Sequence, residues 1–120
     1  MRDYPKPIKQ RLRELMGTAY ERELQRELGT LEQSFAAWRA GSLSSAELSE
    51  RVHQYDTGPA RDLWQHYQAT PPDLVVAYAV VVGLLRPTEV PPDVLAALSG
   101  PLSFYQSLQE RNELKQPGEL

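Results

Sequence analysis

Twelve consecutive residues, Leu74 to Leu85 (LVVAYAVVVGLL), carry no polar side-chain group except the Tyr78 hydroxyl. A helix needs roughly 20 apolar residues to cross a hydrocarbon core of about 30 Å, so this run predicts a buried element and no transmembrane segment. Its five valines would suit a central strand. The punctuation points to a helix instead: Thr70-Pro71-Pro72-Asp73 reads as a cap, prolines and an acid in a first turn, and Arg86-Pro87 as a final cation and a stop. The expectation is a central helix from Pro71 to Arg86, apolar on all sides and therefore surrounded. Gly83 falls inside it, at a cost of about 1 kcal/mol relative to Ala, and would mark a close helix crossing.

Upstream, apolar residues recur at helical spacing from Ile8 through Leu12, Leu15 or Met16, Tyr20, Leu24, Leu28, Leu31 and Phe35 to Trp38. One straight helix of that length would run about 50 Å. A compact chain of 120 residues has a diameter of only about 35 Å. Either the helix breaks or it overhangs the domain and packs on a second copy. The apolar phase slips at Gly17, and Thr18-Ala19-Tyr20-Glu21 matches a capping box, so a break at Gly17 is expected, with Gly29 interior to a second helix from Thr18 to Ala40.

Gly41 then reads as a left-handed terminator, and Ser44-x-x-Glu47 as the capping box of a helix with the buried stripe Leu48, Val52 and Tyr55. Asp56-Thr57-Gly58-Pro59 predicts an end and a new start. Ala60, Leu63, Trp64 and Tyr67 form the inward face of the next helix, with Asp62 and His66 on another side. After a proline-rich connection, short helices are expected from Pro92 to Leu98 and from Pro101 to about Asn112. No repeat and no strand signal is present. The fold class is all-α, a single-domain helical bundle (residues 1–120) of about five to six helices, with residues 1–5 and 113–120 as frayed termini.

Composition excludes several chemistries. With no cysteine there is no disulfide framework, thiolate metal site or cysteine nucleophile, and a reducing cytoplasm is the default location. The first residues lack the apolar run of a signal peptide. The glycines are isolated, so phosphate loops and dinucleotide fingerprints are missing, as are G-x-S-x-G and H-E-x-x-H. Net charge is −3, with Arg2, Lys6, Lys9, Arg11 and Arg13 making a basic start. A mildly acidic whole without a nucleic-acid motif points away from nucleic acid.

Three groups of residues remain as candidates. Glu50-x-x-His53 has the spacing of di-iron carboxylate bundles, so Glu50, His53, Asp56, Asp62 and His66 form a metal candidate, to which Glu23 or Glu27 would add a carboxylate. A helix start near Gly58-Pro59 would leave backbone N–H groups free for an anion, with His53, Thr57, Gly58 and Arg61 around it. The stripe Leu24, Leu28, Leu31, Phe35 and Trp38, with Arg39, is either core or a protein interface. The leading functional expectation is a small non-catalytic protein acting through protein contact, as a homodimer or an adaptor. The alternative is a metal- or phosphate-ligand-binding protein, extending to a hydrolase, using His53, Asp56, Arg61, Asp62 and His66. No cofactor is indicated by the sequence.

Overall fold

The first long periodic stretch forms one continuous helix in the computed structural model, which describes residues 3–119. Helix α1 spans Lys6–Arg39, 34 residues, and accounts for a molecule whose longest extent is 53 Å. The expected break at Gly17 does not occur. Thr18 donates its hydroxyl to the Glu14 carbonyl one turn back, at 3.3 Å, an arrangement available to an interior threonine and not to a cap. Gly17 and Gly29 both lie exposed inside this helix. The conflict between helix length and domain diameter is therefore resolved by overhang.

Gly41 ends α1 in the left-handed region, at φ +82°. Helix α2 (Ser45–Tyr55) opens with the expected capping box: Glu47 N–H donates to Ser44 Oγ at 3.1 Å, and Ser44 N–H to the Glu47 carboxylate at 3.4 Å. The chain then does not turn at Gly58-Pro59. Residues Asp56–Ala60 form a π-helical turn that leads into α3 (Arg61–Ala69), with right-handed helical dihedrals at Tyr55, Asp56, Ala60 and Arg61. The wider π turn accommodates a proline, whose missing N–H and ring would disrupt an α-helical turn.

Helix α4 (Pro72–Val82) is the apolar centre, with Val75, Val76, Ala77, Tyr78 and Ala79 buried. It ends earlier than Arg86, because Gly83 adopts φ +86° and terminates it. Leu85 then donates back to the Ala79 carbonyl at 3.1 Å and is itself fully buried. Gly83 is thus a terminator and not a crossing point, and a Cβ placed there would meet nothing within 4 Å. A single 3₁₀ turn at Pro87–Glu89 precedes α5 (Pro92–Ala97) and α6 (Ser99–Glu110). Pro101 sits in the first turn of α6, where its missing N–H has no intrahelical partner to lose. No strand occurs among the described residues.

The core joins the proximal half of α1 (Ile8, Leu12, Ala19) to α4, α5 and the Leu63/Tyr67 face of α3. Its edge is fixed by Arg22, which donates to the Leu84 carbonyl at 2.7 Å and to both Glu89 carboxylate oxygens at 2.8 and 2.6 Å. The Arg22 guanidinium, with the Arg86 N–H, holds the Glu89 carboxyl at about 2, far below its ordinary 4.5. Both ends expected to fray make a contact with α4 within the described residues. Tyr4 donates to buried Asp73 at 3.1 Å, and the Lys115 carbonyl accepts from the Tyr78 hydroxyl at 2.6 Å, so the tail folds back over α4. Residues 1, 2 and 120 of those ends lie outside the described ones.

Two stability outcomes follow. Gly29→Ala is expected to raise unfolding free energy by about 1 kcal/mol, since it is helical, exposed and sterically open. Gly83→Ala is expected to lower it by about 1–2 kcal/mol, through backbone strain alone; denaturant melts of the pair check both signs. Because the folded Glu89 pKa is depressed, its contribution is present above pH 4.5 and lost as pH falls towards 2. Glu89→Gln is expected to flatten the pH dependence of stability in that window.

Candidate functional site

The buried positions of α1 are Ile8, Leu12, Ala19, Glu23 and Ser34. A helix with 3.6 residues per turn that buries Ile8, Leu12 and Ala19 brings position 23 into the same line, and that position is a glutamate. Tyr20 and Leu24, the expected stripe residues, lie one step round the helix and are only half-buried. Glu23 is 1 % exposed. One carboxylate oxygen, Oε2, accepts a short hydrogen bond from the Tyr67 hydroxyl of α3, and the other, Oε1, has no hydrogen-bond partner.

The tyrosines around this carboxylate are shaped by it. Tyr67 packs its ring on Tyr20 (centroids 4.8 Å apart) and edge-on against His66 (5.5 Å). Burial, then the bond to Glu23, pushes the Tyr67 hydroxyl far above its ordinary range. Burial, then the Glu23 charge, does the same to Tyr78. Tyr67 therefore remains a hydrogen-bond donor at any physiological pH, and it is the group that tethers the carboxylate.

Glu23 forms part of the wall of a cavity of about 230 Å³, shared with Glu27, Pro59, Asp62, Leu63, His66 and Gly118. His66 engages the Thr70 hydroxyl through Nδ1 at 3.3 Å. Arg26 pairs with Glu27 at 3.4 Å and lies against Gly118 of the tail. The residues foreseen as ligands are divided by this geometry. Asp62 and His66 share the cavity, whereas Asp56, Thr57 and Arg61 line an open groove on another side with Trp64. Glu50 is exposed and bonds Gln54 at 3.4 Å, and His53 is exposed.

Among the described residues no three His, Asp or Glu side chains are gathered so as to hold a metal ion. The anion reading loses its premise, since the chain stays helical through Gly58-Pro59 and Thr57 spends its hydroxyl on the His53 carbonyl at 2.9 Å. Glu23, foreseen only as a spare carboxylate for a metal, is the residue whose burial the apolar spacing does not announce. Extending the Ile8, Leu12, Ala19 register by one turn would have found it.

The distal half of α1 forms a second candidate. Its inner side meets α2, where Arg51 donates to Ser34 at 3.2 Å and the Trp38 indole to Ser45 at 3.0 Å. Its outer side carries a shallow groove made from α1 alone, lined by Leu28, Leu31, Glu32, Phe35, Ala36 and Arg39. Leu28 is 47 % exposed, and Leu24, Leu31 and Phe35 are half-buried. Val52 and Trp64, expected inside, are also exposed, at 39 % and 56 %. The π turn intervenes between α2 and α3, so the two helices do not continue one α-helical register, and each buries a narrower stripe than its periodicity suggests.

Comparison with protein-family models, with curated proteins and with solved structures finds no match to this chain. Function must be argued from these two places. For the first, Tyr67→Phe removes the one donor to a buried carboxylate and is expected to cost about 1–3 kcal/mol, more than loss of the hydroxyl's own packing would. Urea unfolding beside the half-buried control Tyr55→Phe checks it.

Proposed function

We infer that the protein acts through helix contact with a second copy of itself and has no catalytic activity, in a cytoplasmic setting with which its lack of cysteine is compatible. The observation that carries this reading is the outer face of distal α1, where Leu28 is exposed and Leu31 and Phe35 are only half-buried along a groove that no other element of the chain lines. A 34-residue helix with one end outside its core presents such a face at a constant angle, on a rigid element. Exposed apolar surface of that kind marks interaction sites.

A second copy suits the face because its charges are self-complementary. Glu32 and Arg39 flank the Phe35–Ala36 contact, and neither has an ion-pair partner among the described residues. Two α1 helices crossing antiparallel at Phe35–Ala36 set Arg39 of each copy against Glu32 of the other. That is the pattern an isologous two-fold interface requires. No helix among the described residues is long and apolar enough to cross a membrane, so a bilayer-spanning role for α1 is not an alternative use of this face.

The expected mass in light scattering is twice the 13.6 kDa of the chain, with dissociation on dilution. Phe35→Glu is expected to give the monomer with unchanged helical circular dichroism, because Phe35 supports no part of the core. Glu32→Arg or Arg39→Glu alone is expected to weaken the dimer, and the double swap to restore it. A monomer at every concentration from micromolar to millimolar would overturn the reading.

A further inference from the structure

We propose that the cavity beside Glu23 is a binding site for a small organic ammonium ion, a primary amine carrying a short apolar chain. The inference concerns a different part of the molecule from the α1 face and stands independently of it. Glu23 is almost wholly removed from water, and its Oε1 accepts no hydrogen bond from the protein. A buried carboxylate oxygen left in this state is costly, and a donor arriving from outside the chain would offset that cost.

The surroundings specify the partner. Glu27 and Asp62 add two further carboxylates to the cavity wall, of which Glu27 is paired with Arg26, so the acids still outnumber the cation there. An anion is therefore disfavoured. A single metal ion is disfavoured too, since the acids are not gathered around one point among the described residues. What the space fits is a cation with extent. The cavity of about 230 Å³ is many times the roughly 10–15 Å³ that one water needs, and Leu63 and Pro59 give part of its wall an apolar character.

An ammonium group supplies three N–H donors for the carboxylates of the wall and water at the mouth, a small turn of the Glu23 side chain bringing Oε1 to it, while its alkyl chain lies against Leu63 and Pro59. Tyr67, bonded to Oε2, acts as a positioning residue that leaves Oε1 as the oxygen without a partner. His66 forms a shared wall between this cavity and a second one under the tail, which Tyr78, Tyr105 and Leu114 also line. The tail thus borders both spaces, through Gly118 in one and Leu114 in the other.

Calorimetric titration of the full-length protein with n-butylammonium chloride, at ionic strength matched with sodium chloride, tests the proposal against its neutral isostere n-butanol. The expected result is saturable one-to-one binding of the ammonium, with the alcohol weaker by about tenfold or more, the loss that accompanies removal of a charge-assisted bond. Glu23→Gln, which keeps the shape and removes the charge, is expected to weaken the ammonium by a similar factor. Three results would each overturn it: no saturable heat with n-butylammonium, equal binding of n-butanol, or unchanged ammonium affinity in a folded Glu23→Gln protein. The alcohol comparison uses the unaltered chain and so decides the matter even if that variant fails to fold.

Discussion

Helix α1 is longer than the body it belongs to, and most of the architecture follows from that mismatch. Its first turns find α4, α5 and α3 and are buried where Ile8, Leu12 and Ala19 meet them. Its last turns reach beyond those elements, and α2 can cover only one side of them. A helix has no means of burying both faces of an overhang with one neighbour. The exposed Leu28 and the half-buried Phe35 are the remainder of that arithmetic, which is why an interface reading attaches to this end of the molecule and not to the α4 end.

Arg22 and Glu23 sit at the boundary between the two regimes. Arg22 closes the core by holding the Leu84 carbonyl and Glu89, a bidentate ion pair at an edge where water still reaches. Glu23, its neighbour, points the other way into the Tyr67 side and is satisfied at one oxygen only. Adjacent residues on a helix face about 100° apart, so one turn of α1 serves as both clasp and cavity wall. The clasp contributes to folding directly. The cavity does not, and a sequence shaped for stability alone would place an aliphatic residue at position 23.

Locally determined features were legible in the sequence, and features set by packing were not. The Ser44–Glu47 box, the Gly41 terminator and the proline-initiated helices are written within four residues each, so reading them needs no knowledge of neighbours. Gly83 defeated the same logic because Leu84 and Leu85 extend the apolar run past the helix end; Leu85 is buried after a left-handed residue and not within a turn. At Gly17 and at Gly58-Pro59 two breaking signals were overruled by helices held from outside, by the core in one case and by a π turn in the other. The burial of Glu23 is not legible because the apolar periodicity runs through Tyr20 and Leu24. Burial instead tracks Ala19, whose small side chain lets helices approach and takes its neighbour at i+4 inward with it.

The same reasoning explains why the polar cluster between Glu50 and Tyr67 divides. On paper these residues are close, spread over two short helices with a tight turn between. A tight turn would have folded α2 and α3 against each other and turned His53, Asp56, Asp62 and His66 towards a common space. The π turn keeps the chain running forward, so the residues are distributed around an axis and face different solvent grooves. Asp56 lies beside Tyr20 and Leu24 of α1, whereas Asp62 and His66 come to lie beside Glu23, a carboxylate from far earlier in the chain. A site in this protein is therefore made by the approach of α3 to α1. It belongs to the contact between helices distant in sequence, which short-range motifs do not record.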